Sequence, residues 1–501
     1  MKRNLQLPLQ TASLTLGFMV WVILSSLMPS IKEDIALTSG QVAWVTATPV
    51  LIGSLMRIPI GYWTNRYGAR LLFAISFALL LAPIAWLGFA ANTFSALIVG
   101  GLFLGIGGAV FSIGVTSLPR YYPKEKHGFV NGIYGIGNLG TAISTFGAPV
   151  AAGIWGWQRT VLLYSVLLVL FAALNLVFGD AREPKNKASL VQQLRSVYRN
   201  EKLWLLCLFY FITFGSFVAF TVYLPNFLVS HFGLTKVDAG MRTAGFIGLA
   251  TLFRPIGGWL GDKYNPFRIL MAVFAGLTVS AVLLSFAPSM AWYTTGCLII
   301  AVCAGTGNGT IFKLVPLYFA SQAGIANGVI SAMGGLGGFF PPLVLTLIYN
   351  ATGHYAIGFM ALSQFALASL ILVFWMYYQE KLSLYSDIVK STKQGIMITD
   401  TSGTILSVND SFTRLTGYEQ HEVIGRNPNI LKSGKQSKAF YDRMWDSIKE
   451  QGSWQGEIWN RKKDGEHYLE WLTISSIKND AGEVKQYAAL FSDITSYRRE
   501  S

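Results

Sequence analysis

The sequence predicts an all-α polytopic membrane protein of twelve transmembrane helices in two six-helix halves, followed by a small α+β soluble domain. Three observations lead there. The 501 residues are 52% hydrophobic and only 13% charged, whereas about a quarter of a soluble domain is charged. Apolar runs near the ~20 residues needed to cross the hydrocarbon recur along most of the chain. Charge also divides the chain in two: residues 1–380 hold 22 Lys+Arg against 9 Asp+Glu, and residues 381–501 hold 17 against 16.

The twelve runs lie at about 11–30, 41–62, 71–91, 95–118, 128–152, 158–178, 203–229, 239–260, 268–287, 291–314, 323–348 and 356–378. The "MKR" start suits a signal peptide, but no A-x-A-like cleavage site follows, so the first run is kept as span one. The three cysteines, Cys207, Cys297 and Cys303, fall inside apolar runs and read as small core residues rather than a disulfide or metal set. The membrane domain is expected over 1–380, with halves of about 1–180 and 203–380 joined by a loop at 180–202. The soluble domain is expected over 381–498.

Basic residues sort by loop. Lys2 and Arg3 precede span one. Alternate loops then carry Arg66 and Arg70; Arg120, Lys124 and Lys126; Arg182, Lys185, Lys187, Arg195, Arg199 and Lys202; and Lys263 and Arg268. The intervening loops carry few, such as Lys32, Arg159 and Lys236. The positive-inside rule puts both termini in the cytoplasm and accounts for the net charge of +14 without nucleic acid.

Two arginines interrupt this pattern. Arg57 sits within "SLMRIPIGYW", and Arg254 within "TLFRPIGGWL". A shift of 197 residues sets Arg57 on Arg254, Gly61 on Gly258, Asn65 on Asp262 and Arg66 on Lys263. Parallel repeats of this kind mark transporters whose site lies between the halves. A charge within a span costs at least ~2.5 kcal/mol unless it faces a partner or an aqueous path. Residues 41–124, 126–179, 203–237 and 263–379 contain no Asp or Glu. A small anion arriving from water is therefore the expected partner; the bland alternative is a pair of arginines snorkelling to the interface or bonding backbone carbonyls.

The Gly61–Arg70 stretch, with Gly61, Asn65, Arg66, Gly68 and Arg70, resembles the loop motif of the major facilitator superfamily. The two arginines, with "GFVNGIYGIGNLG" (128–140), "AGTGNGTIF" (304–312) and "ANGVISAMGGLGGFFPP" (326–342), resemble the nitrate/nitrite porter family within it. The resemblance covers about residues 10–380. It implies a bacterial-type inner-membrane carrier in which Arg57 and Arg254 clamp a planar oxyanion, nitrate or nitrite. Phe111 and Phe214 would stack on it, Tyr210 would donate a hydroxyl, and Asn138 would add a polar contact. Planar guanidinium forks suit planar oxyanions. Each residue has a plainer reading: the phenylalanines as packing, Tyr210 as an interfacial anchor, Asn138 as a bond between helices. Asn65 replaces the usual acid of the loop motif. Asp262 and Lys263 hold the second-half positions, with Asp262 free to meet a helix terminus or a basic neighbour as part of a gate.

Two readings stand for Lys313: a topology signal, or a second anion contact. The latter keeps open a small-carboxylate exchanger of the oxalate/formate kind. No acid is placed within a span, and His127, His231 and His354 fall at span ends or loops, which favours anion exchange over proton symport without excluding the latter. Neither an enzyme activity nor a transport cofactor is expected.

After span twelve, "QEKLSLYSDIVKSTKQ" (379–394) reads as a helix leaving the membrane. Alternating residues flank the turn "DTSG", a helical stripe runs over 437–452, and three strands follow with turns at Lys463–Gly465 and Asn479–Gly482. With "VIGRNP" and "FSDIT", this order resembles a PAS domain. Pro428 stands where photoactive flavin relatives carry a cysteine, so no cysteinyl adduct is expected. Trp454, Glu457, Trp459 and Asn460 would line a pocket for a non-covalent flavin; the alternative is a ligand-free dimerisation or signalling module. The lone His421 and His467 read as solvent-facing. No catalytic or DNA-binding output is expected beyond the PAS stretch, so its output would be the attached carrier or a partner. A receptor that binds the anion and signals without net flux is the reading from another functional class.

Overall fold

The computed structural model describes residues 4–183, 189–286, 289–352 and 356–496; Lys2, Arg3, Lys185, Lys187 and His354 lie outside the described residues. The chain forms two compact units, Met1–Met376 and Tyr377–Ser501.

The first unit is helical throughout, and its last helix continues past Met376 into the second. Its elements are α1 (Gln6–Trp21), α2 (Ile23–Asp34), α3 (Ser39–Leu55), α4 (Arg57–Tyr67), α5 (Ala69–Phe89), α6 (Phe94–Ala109), α7 (Phe111–Ser117), α8 (His127–Gly135), α9 (Leu139–Trp155), α10 (Trp157–Phe178), α11 (Leu190–Tyr198), α12 (Glu201–Phe232), α13 (Lys236–Lys263), α14 (Pro266–Ser285), α15 (Met290–Tyr318), α16 (Ala323–Thr352) and α17 (Ala356–Ser391). Among the described residues, nine helical segments are long and apolar enough to cross a membrane, and Ala323–Phe339 is a shorter apolar helix. The unit is a polytopic helical bundle. The sequence-predicted spans at 128–152 and 239–260 are not among the nine. The first is interrupted by a 3₁₀ turn at Ile136–Asn138, and the second, within α13, carries Arg242 and Arg254.

Glycine lets four helices meet backbone to backbone in two matching seams. Gly61 of α4 lies against Gly324 of α16, where a Cβ on Gly324 would sit 2.5 Å from the Gly61 carbonyl oxygen. Gly128 of α8 lies equally close to Gly258 of α13. Small residues permit such close approach.

In the second unit, β1 (Gly395–Asp400), β2 (Ile405–Val408), α18 (Asp410–Thr416), α19 (Gln420–Val423), α20 (Lys438–Gln451), β3 (Ser453–Arg461), β4 (His467–Lys478) and β5 (Val484–Asp493) follow in order. The five strands form one antiparallel sheet in the order β2-β1-β5-β4-β3. The "DTSG" turn is held by Asp400, whose carboxylate accepts from the amides of Ser402 and Thr404 at 2.9 and 2.7 Å. Met397, Ile405, Phe412, Val423, Leu431, Ile458, Leu472 and Phe491 fill the core.

Candidate functional site

Three spans of the first unit break where candidate residues lie. Arg57 is the first residue of α4 and Phe111 the first of α7; Asn138 ends the 3₁₀ turn between α8 and α9. Irregular backbone inside a bundle is tolerated where it is buried in protein or lines a polar path.

Arg57 is fully buried and Arg254 is 2% exposed. Neither reaches a carboxylate among the described residues. The Arg57 Cζ lies 5.3 Å from the Phe111 ring centre and 5.4 Å from that of Phe214; for Arg254 the distances are 5.5 and 5.7 Å. Two cations thus share two aromatic faces, an arrangement stabilised by the ring quadrupoles. Tyr210 stacks on Phe214 at 5.1 Å, and its hydroxyl accepts from Arg254 Nη2 at 3.3 Å. Arg57, Arg254, Tyr210, Phe111 and Phe214 are therefore one cluster. Asn138 is buried, and neither of its amide atoms has a hydrogen-bond partner among the described residues.

Other residues complete the cluster. Arg57 Nη1 donates to the Ser331 carbonyl at 2.7 Å and Nε to the Gly108 carbonyl at 3.3 Å. Phe312 sets its edge to Phe111 and Tyr210 at 5.4 and 4.9 Å. Gly135 gives room for the second cation: a Cβ there would lie 2.5 Å from Arg254 Nε. Arg57 Nη2 and Arg254 Nε and Nη1 donate to no atom among the described residues. Phe312 and Ser331 both lie inside stretches that the sequence already marks, 304–312 and 326–342, but nothing local signals that the Ser331 carbonyl meets Arg57 from 274 positions away.

The loop residues form two further clusters. Gly68 has φ +89° and allows the tight turn into α5. Asn65 accepts from Arg120 Nη2 in a short contact, and Arg120 Nη1 pairs with Glu183 at 3.2 Å. Glu183, which the sequence reading passes over, also accepts from the Ala69 amide at 2.8 Å and caps α5. Arg66 binds the Tyr62 hydroxyl at 2.9 Å. Asp262 of α13 accepts from the Gly128 and Phe129 amides at 3.0 and 2.7 Å, at the start of α8. Lys313 joins it at 2.7 Å and also donates to the Lys124 carbonyl at 2.6 Å. The Lys313 charge is thus met by protein groups and lies with the seam rather than with the arginine cluster. Lys263 rests on the rings of Trp259 and Tyr264.

In the second unit the expected pocket set divides. A cavity of about 130 Å³ is lined by Asn460, Glu470, Tyr441, Thr399, Pro428 and apolar core residues. Of the four expected residues only Asn460 reaches it. Successive strand residues face opposite sides, so Glu457 and Trp459 project from the other face of β3, and Trp454 packs against Phe440. The volume is well under the ~300 Å³ at which pockets for drug-sized ligands begin, so the cavity gives no support to a three-ring flavin. Among the described residues no group of three or more His, Cys, Asp or Glu side chains is arranged to hold a metal.

Both parts of the chain have known relatives. The "PAS domain" family model matches residues 393–496. A nitrite extrusion protein of Bacillus subtilis (strain 168) is 63% identical over 386 residues, covering 77% of this chain and 98% of that protein. A probable nitrate transporter, NarT, of Staphylococcus haemolyticus (strain JCSC1435) is 52% identical over 379 residues, covering 76% and 98%. Among solved structures, the human organic anion transporter MFSD10 superposes with a TM-score of 0.63 at 15% identity, over 74% of this chain and 99% of that one. FucP in its outward conformation gives 0.60 at 16%, over 75% and 99%. These two share the fold. The "Major Facilitator Superfamily" model matches residues 11–342, and the chain belongs to that superfamily, with a PAS domain at its C-terminal end.

Proposed function

We propose that the chain carries nitrate or nitrite across a bacterial inner membrane by alternating access, with Arg57 and Arg254 as the anion clamp. The carrying observation is the pair of buried guanidinium groups around Phe111 and Phe214, with three of their nitrogens donating to no described atom. A planar oxyanion between the rings accepts from those groups, and charge-assisted bidentate bonds are among the strongest available. Tyr210 and Asn138 complete its polar contacts. The relatives named for nitrite extrusion and nitrate transport support the choice of anion.

The working architecture is twelve spans in two halves, 1–180 and 203–380, with both termini cytoplasmic. The seams at Gly61–Gly324 and Gly128–Gly258, with Gly68, Asn65, Arg66, Arg70, Asp262 and Lys263 beside them, then form the cytoplasmic gate. Two fixed cations without an anion resist rocking, because buried charge without a counter-ion is costly. Occupancy relieves that cost and couples movement to substrate, which suits exchange of one anion for another. The Lys313–Asp262 pair removes the main support for an oxalate/formate-type exchanger.

Counterflow of labelled nitrate and nitrite in proteoliposomes tests the proposal. Exchange of the two supports it; oxalate preference, or binding without flux, overturns it. Deleting 381–501 and repeating uptake under oxidising and reducing conditions tests modulation by the PAS domain; identical transport in both overturns that part.

A further inference from the structure

We propose that Tyr134 is a positioning residue for the anion site: its hydroxyl bridges the backbone of the span that carries Phe111 and so sets the pose of that ring. The inference rests on the anion-clamp reading above. Tyr134 lies on α8 and is fully buried. Its hydroxyl donates to the Val110 carbonyl at 3.0 Å and accepts from the Gly114 amide at 3.3 Å. In an unbroken α-helix the amide of residue 114 would bond the carbonyl of residue 110 directly. The tyrosine hydroxyl stands between these two groups. The Val110 carbonyl also takes the Ile113 amide at 3.0 Å, a tighter 3₁₀-type closure. A side chain inserted into the hydrogen-bond ladder is an identifiable cause of a local break in a helix. The break between α6 and α7 falls at Val110, one residue before Phe111.

The surroundings fit this role. Gly114 supplies the room, since a Cβ there would lie 2.2 Å from Tyr134 Cζ. The Tyr134 and Phe111 rings pack with centres 5.8 Å apart. Phe111 in turn lies 5.3 Å from the Arg57 Cζ and 5.5 Å from that of Arg254. A phenolic hydroxyl has one proton, and here the Val110 carbonyl takes it. Tyr134 therefore acts on the anion through Phe111 and not as a ligand. The next residue, Gly135, leaves space for Arg254, so adjacent positions of α8 serve the ring and the cation. Packing alone would be met by phenylalanine; the hydroxyl is what the bridge requires.

The test compares Tyr134→Phe, Phe111→Leu and the double variant of the full chain in proteoliposomes. Tyr134→Phe keeps the ring and removes the bridge, so Gly114 can close directly on Val110. Nitrate counterflow should keep its maximal rate while KM rises about fivefold, the pattern of lost uniform binding. Phe111→Leu should raise KM further. Adding Tyr134→Phe to it should then change nothing more, because residues that act through one another do not sum. Unchanged KM in Tyr134→Phe, a fall in maximal rate at constant KM, or additive effects in the double variant each overturns the proposal. Fluorine-19 NMR of 4-fluorophenylalanine placed at position 111 of the purified chain reads the ring without any substrate. One sharp line is expected in the parent protein and a split or broadened line with Tyr134→Phe; a single line of unchanged width overturns the bridge. Should the parent protein carry no nitrate, the anion reading fails alone, and the fluorine line still decides what Tyr134 does to Phe111.

Discussion

Arg57 and Ser331 are 274 positions apart in the chain, yet the Arg57 guanidinium donates to the Ser331 backbone carbonyl at 2.7 Å. The bond joins α4 to α16, and the Ser331 hydroxyl lies 3.1 Å from that of Ser112 in α7. A proposed substrate ligand is therefore also a contact between α4 and α16. An anion that draws the guanidinium toward itself competes with this bond.

Arg57→Lys and Arg254→Lys should each nearly abolish nitrate counterflow while leaving the protein folded. A lysine keeps the charge but loses the fork, at a cost of about 2–3 kcal/mol for charged hydrogen bonds. Labelled uptake in proteoliposomes measures this; nitrate affinity retained in either variant contradicts the clamp.

Gly135→Ala should impair transport, with a raised KM, because the new methyl would lie 2.5 Å from Arg254 Nε. Gly147→Ala is the control: a Cβ there meets nothing within 4 Å. Equal transport by the two variants would remove Gly135 from the site.

The Asp262–Lys313 pair is nearly buried, with side chains 7% and 10% exposed. Asp262→Ala leaves a cation without its partner and two helix-start amides without an acceptor, a loss of roughly 3–5 kcal/mol for a broken buried pair. Asp262→Asn keeps an acceptor and should cost less. Adding Lys313→Met to Asp262→Asn should restore part of the loss, since the stranded charge is gone. Melting temperatures of the purified variants report the order.

Glu470 sets a pH dependence for the PAS domain. Its folded value of about 7 lies above the ordinary 4.5. A raised carboxyl contributes stability that is full below the unfolded value and is lost as pH rises through the folded one. The domain should therefore be more stable at pH 5 than at pH 8, by on the order of 3 kcal/mol. Glu470→Gln should flatten the profile. Exchange protection of β3 to β5, measured across that range, checks both.

The sequence carries the membrane bundle clearly, because apolar length and loop charge are local signals. Arg57 and Arg254 were also legible, since an unpaired cation repeated at 197 positions stands out against an acid-free background. The roles of Ser331, Gly135 and Glu183 were not, although the first two lie inside the marked stretches 326–342 and 128–140. Each matters through a partner far along the chain, and a serine carbonyl or a glycine advertises nothing locally. In the PAS domain the strands could be read, but the phase of β3 could not. Ile458 and Trp459 are adjacent apolar residues, so alternation alone leaves the inward face undecided. Burial settles it in favour of Ile458 and Asn460, which hides Glu470 from a reading of β3 alone.

The glycine seam occurs twice, once as Gly61 with Gly324 and once as Gly128 with Gly258, so the proposed gate has two copies. A methyl wedge placed in one copy would leave its twin intact, so the molecule would yawn obliquely instead of evenly. Spin labels flanking the two contacts would then report unequal excursions, a lopsided hinge made from a symmetric one by a single carbon atom.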